Sequence, residues 1–220
     1  MDALPLVLAA LVGALLALSV SRVVRPDGTF TAGRHLRLPK RLVVEPMDEE
    51  SLPTDARIPL AELRRRLERL GFTGGPVVRP RAGAEIALVP FVHLDERCVF
   101  VMGIEAGWRS RSELMLHIVT PLDGERRVET TSLAALRRLA PPSGVDLRVD
   151  LEAGSIEELW SGHRRALTHY ERRERIPFPA DAWAVVLGES YAAWLVAAVR
   201  SQRIQLSPDG SSYRLRRVFT

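Results

Sequence analysis

Between Ala3 and Val20 the chain carries no charged side chain. Val23 and Val24 lie beyond Arg22, whose long stem lets its charge reach an interface, so the run extends to about the 20 residues that cross a bilayer's hydrocarbon core. Pro5 sits where its missing N–H leaves no helical bond unmade. The run is read as a single transmembrane helix. The competing reading is a cleaved signal peptide ending near Ser19-Val20-Ser21. It lacks the positive n-region such signals carry, because only Met1 and Asp2 precede the apolar stretch.

This feature divides the chain into a transmembrane anchor over residues 1–24, a juxtamembrane linker over 25–57 and a soluble domain over 58–220. Arg22, Arg25, Arg34, Arg37, Lys40 and Arg41 all follow the span, and positive flanks stay inside. The expected location is therefore a bacterial inner membrane, single-pass, with the N-terminus outside and the domain in the cytoplasm. Bacterial origin is read from the basic residues, which are all arginine except Lys40. The expected partners are the lipid bilayer, through the N-terminal helix, and a protein held at the membrane. Nucleic acid is not expected, because the formal net charge is only +4 and much of the excess flanks the apolar run or the C-terminus.

The soluble part reads as α+β. Pro59 suits a first helical position, Leu60, Leu63, Leu67 and Leu70 recur on one face, and Gly71 is placed to end the helix. Strands are predicted over Ile86–His93, Cys98–Ile104, Glu113–Thr120, Arg127–Thr131 and Val145–Leu151 from their Val, Ile, Leu and Phe content. Asp95-Glu96-Arg97 and Leu122-Asp123-Gly124-Glu125 read as hairpin links. A short helix is predicted over Leu133–Leu139.

Ser155-Ile156-Glu157-Glu158 is a capping box, and the helix it opens is predicted to run to Ile176. A second helix, Ala182–Arg200, is apolar nearly all round. Glu189 at its middle argues for a core helix with a paired carboxylate over a second membrane segment. Arg203–Leu206 and Tyr213–Val218 bracket a terminal hairpin. The expected architecture is one antiparallel sheet packed against the two C-terminal helices.

Motifs for the easily read enzymes are missing: no phosphate-cradling loop, no Gly-x-Ser-x-Gly, no paired cysteines and no His-Glu-x-x-His. Three side chains are candidates for catalysis. His163 lies on the apolar stripe Ile156, Leu159, Trp160, Leu167 and would be a general base if activated by burial, while His117 and Glu189 complete the candidate group. His93 and Asp95 with His117 are the metal candidates, since they supply ligand types a metal accepts. Each has a plainer reading, as a hydrogen-bonded core histidine, a paired carboxylate or a solvated strand residue. Cys98 reads as an inert buried thiol. No cofactor is expected. The leading expectation is a non-enzymatic, membrane-tethered binding or assembly module; the alternative is a membrane-anchored hydrolase or other small-molecule enzyme using His163, His117 and Glu189. Convergence of those three side chains on a cleft separates the two.

Overall fold

The computed structural model describes residues 37–40, 43–52, 54–81, 86–105, 115–132, 141–149, 155–201, 204–210 and 212–215. Strands β1 (Arg37–Pro39) and β2 (Val44–Pro46) precede helix α1 (Thr54–Arg69). Seven strands follow: β3 (Thr73–Gly74), β4 (Val78–Pro80), β5 (Ile86–His93), β6 (Cys98–Glu105), β7 (Met115–Pro121), β8 (Arg127–Thr131) and β9 (Val145–Val149). Helices α2 (Ile156–Leu167) and α3 (Trp183–Arg200) lead to β10 (Ile204–Leu206) and β11 (Ser212–Leu215).

The class is α+β, and the expected architecture needs three corrections. The larger sheet, ordered β2-β4-β5-β6-β7-β8-β9 with β3 on β5, is mixed, because β9 lies parallel to β8. A second sheet, β1-β11-β10, stands apart from it, so the terminal hairpin recruits a strand from near the N-terminal end of the described chain. The expected N-terminal transmembrane helix lies outside the described residues. Among those residues the only helix long and apolar enough to cross a membrane is Ala180–Arg200, at the opposite end, and half of its apolar window is buried against the fold.

Segment 25–57, expected as a linker, supplies β1, β2 and the start of α1. Val44–Pro46 pairs with Val78–Pro80, and Leu52 is buried in the main core. The helix predicted over Leu133–Leu139 lies outside the described residues.

Side-chain parity explains how the helices are distributed. Successive residues of a strand point to opposite faces. Ala87, Val89 and Phe91 of β5 join Cys98, Phe100, Met102 and Ile104 of β6 and Ile118 of β7 in one core with Leu60, Leu63 and Leu67 of α1 and Ile156, Leu159 and Trp160 of α2. Helices α1 and α2 thus cover one face. The other parity, including Leu88, Val92, Val99, Val101 and Val119, is also buried, beneath α3, which packs across β5, β6 and β7. The two C-terminal helices therefore lie on opposite faces of the sheet. Strands buried on both faces lose the alternating pattern and read as continuous apolar runs, as Ile86–His93 does. Each large side chain removed from water in this way contributes about 1.5–3 kcal/mol.

Helix ends follow local chemistry. Helix α1 begins at Thr54, ahead of the predicted start, with Pro59 inside it. It ends in a Schellman motif: Phe72 N–H donates to the Leu67 carbonyl and Gly71 N–H to that of Glu68, both at 3.0 Å, with Gly71 at φ +91°. Helix α2 is capped by Ser155, whose hydroxyl accepts from Glu158 N–H at 3.2 Å. It stops at Leu167, well short of Ile176.

The segment after α2 is held by two hairpin links instead of continuing the helix. Arg97 donates to the Arg172 carbonyl at 3.1 Å, Asp123 N–H to the Glu174 carbonyl at 2.8 Å, and Ile176 N–H to the Pro121 carbonyl at 3.0 Å. Arg175 pairs with Glu96 of the first of these links at 2.7 Å.

Candidate functional site

Strands β7 and β8 place polar residues on both faces of the sheet, and each set is sealed by a different helix. Their register aligns His117 with Thr131, Ile118 with Thr130, Val119 with Glu129 and Thr120 with Val128. By parity, Thr120 and Thr130 face α2, whereas His117 and Glu129 face α3. Two polar clusters therefore lie back to back across β8, with the adjacent residues Glu129 and Thr130 belonging to different ones.

On the α2 side, His163 is completely buried between two hydroxyls. Thr120 Oγ1 lies 2.9 Å from Nε2 and Thr130 Oγ1 2.9 Å from Nδ1. A neutral imidazole offers one donor and one acceptor, which two threonine hydroxyls satisfy by rotating. The ring also stacks on Trp160, with centroids 5.9 Å apart and planes at 20°. Both ring nitrogens are occupied and no solvent reaches them. This is a core histidine whose polar atoms are fully engaged.

On the α3 side, Glu129 is completely buried and ligated from three directions. Ser190 Oγ–H donates to Oε1, Trp194 Nε1–H donates to Oε2 at 2.8 Å, and His117 Nε2 stands 3.3 Å from Oε2, close to it but short of a well-aligned hydrogen bond. Arg127 Nε lies 3.9 Å from Oε1. Burial pushes the Glu129 carboxyl up, but contact with His117 and the Ser190 and Trp194 hydrogen bonds outweigh it and hold the group below the usual carboxylate range. Ser190 and His117 both approach the carboxylate, so the order is serine–carboxylate–histidine. A nucleophile relay needs the histidine between the serine and the acid.

The candidates predicted from sequence do not converge. His163 and His117 are on opposite faces of the sheet, and Glu189, expected in a buried ion pair, is exposed on the outer side of α3. The buried, partnered carboxylate is Glu129 instead, a residue that local pattern does not single out. His93 lies on the α1–α2 face, its ring 5.1 Å from Phe72 and 5.5 Å from Trp160, while Asp95 is exposed in the following turn. His117 faces the other way, so the three metal candidates share no center. Among the described residues no group of three or more His, Cys, Asp or Glu side chains is placed to hold a metal ion. Burial lowers the His93 pKa, with Glu96 and Asp95 offsetting only part of the effect, and pushes the Cys98 thiol well up, leaving it protonated and unreactive.

One signal for the Glu129 cluster is present in the sequence. Ser190 and Trp194 are spaced i,i+4, which puts two hydrogen-bond donors on one side of an otherwise apolar helix and calls for an acceptor opposite. Glu129 is the only acidic residue in Arg127–Thr131. Searches with family models, against curated proteins and against solved structures find no match to this chain.

Proposed function

We propose that this domain is a non-catalytic binding or assembly module. The observation that carries the reading is the separation of the ionisable side chains. His163 and His117 are sealed on opposite faces of the sheet, with both His163 nitrogens satisfied inside the fold, and Glu189 is exposed to solvent. A general base must reach a substrate proton directly or through one water. Neither histidine has such access in this arrangement, and Ser190 spends its proton on Glu129. Polar groups of this kind fix how α2 and α3 seat on the sheet, which suits a rigid scaffold that presents its outer surfaces to a partner.

The test is a screen of the full chain against generic carboxylic-ester, phosphoester and peptide substrates, run beside folded His163→Gln and His117→Gln variants. The expected result is no turnover that depends on either histidine. Turnover lost in a variant that remains fully folded contradicts the module reading and establishes an enzyme.

A further inference from the structure

Helix α3 is apolar nearly all round, yet only one side of it meets the sheet. Trp183, Val186, Leu187, Ser190, Tyr191, Trp194, Leu195 and Ala198 are buried; Glu189, Ala192, Val196, Val199 and Arg200 are exposed along the other side. Val196 is 49% and Val199 41% exposed, and Leu206 on β10, which packs beside α3, is 47% exposed. A helix presenting valines to water on the face away from its own core has an unfilled contact.

The charges on this face select its occupant. Glu189 and Arg200 are eleven residues apart, which is about 16 Å along the axis and within about 20° of the same direction. They are too far apart to pair with each other, and neither enters an ion pair among the described residues. An antiparallel copy of the same helix, related by a twofold axis passing near Trp194 and Leu195, sets each Glu189 opposite the other copy's Arg200. It also lays Ala192 and Ala193 of one copy against Val196 and Ala197 of the other. Such a contact is isologous, with one patch complementary to itself. A lipid surface would have to seat the Glu189 carboxylate, at one end of the exposed apolar patch, against the bilayer, which is unfavourable. The uncharged run from Ala3 to Val20 has no basic residue to answer Glu189.

We infer that the outer face of α3, from Glu189 to Arg200, is a dimerisation surface that pairs antiparallel with a second copy of this chain. The inference names a partner for the assembly reading and rests on it.

Cysteine cross-linking in the full chain tests it, because Cys98 is buried and does not compete. Under mild oxidation, Val196→Cys, close to the twofold, is expected to give a disulfide-linked dimer, whereas Glu189→Cys, far from its own copy, gives none. Adding Glu189→Arg to Val196→Cys should lower the cross-linked fraction several-fold, and further addition of Arg200→Glu should restore it. A Val196→Cys chain that stays monomeric overturns the inference, as does charge reversal without effect or a Glu189→Cys dimer formed equally well. Shielding of Val196→Cys from a water-soluble maleimide only when phosphatidylglycerol vesicles are added assigns the face to lipid and also overturns it. Shielding that disappears when residues 1–36 are deleted assigns the face to the chain's own leading segment and overturns the inference as well. None of these outcomes bears on turnover; only histidine-dependent turnover overturns the underlying assembly reading.

Discussion

The indole Nε1–H of Trp194 donates to the Glu129 carboxylate at 2.8 Å inside a fully buried contact, so the middle of α3 is tied to β8 by a charge-assisted hydrogen bond. Removing one partner from such a contact leaves the others desolvated and unpaired. Glu129→Ala is expected to cost about 3–5 kcal/mol, because Ser190 and Trp194 lose their acceptor at once and the carboxylate beside His117 is gone. Trp194→Phe, which keeps most of the ring and removes one donor, should cost about 1.5–3 kcal/mol. Urea unfolding followed by circular dichroism measures both, and an Ala variant as stable as the parent would contradict the ligation described.

How much of the structure is legible in the sequence depends on whether the deciding contact is local. Gly71 as a helix stop, Ser155 as a cap and Ile86–His93 as a strand follow from neighbours in sequence, and the structure places each there. The end of α2 is not legible, since Arg97, Asp123 and Pro121, which hold residues 172–176, lie on two hairpin links distant in sequence. The parallel pairing of β9 is invisible to any local pattern. Glu189 does not take the paired, buried role expected of it, and Glu129 takes it instead, for a related reason. An acid in an apolar helix attracts notice, but which side of that helix meets the sheet is a tertiary fact.

Acid lability should appear in two steps with the same sign. The His93 pKa is depressed in the folded state, so the unfolded chain binds the proton more readily; stability is complete above about pH 6.5 and falls as pH drops below it. The Glu129 carboxyl is depressed as well, and its contribution, complete above about pH 4.3, is lost as pH falls through the lower folded value. Unfolding midpoints measured across these two ranges, and above them, follow the two steps. Replacing His93 with Gln should flatten the first and leave the second. An unchanged first step would show that another group carries it.

Gly71 is a sensitive position for two independent reasons. Its φ of +91° is one that L side chains rarely adopt, and an added Cβ would lie 2.9 Å from Nε2 of His93, a ring already packed on Phe72 and Trp160. Gly71→Ala is expected to lose about 1–3 kcal/mol. A neutral result in thermal unfolding would mean that the α1 end and the His93 ring move apart freely.

The start of the fold can be located by truncation. A chain beginning at Arg37 keeps β1, β2, Met47 and Leu52, whereas one beginning at Pro53 loses the β2–β4 pairing and the buried Leu52 side chain. The shorter chain should unfold at lower urea by about 2 kcal/mol or more, from loss of the Leu52 burial alone. Equal stability would return residues 37–52 to the status of a linker.

The central claim, that the buried histidines serve the architecture and not a reaction, is tested most directly by measuring unfolding free energy and turnover together on His163→Gln. Glutamine retains a donor and an acceptor for Thr120 and Thr130 but loses the stack on Trp160. The predicted result is a loss of about 1–3 kcal/mol of stability, with partner binding reduced only in proportion to the folded fraction. A variant of unchanged stability that has lost roughly 100-fold or more of a measurable turnover would contradict the claim.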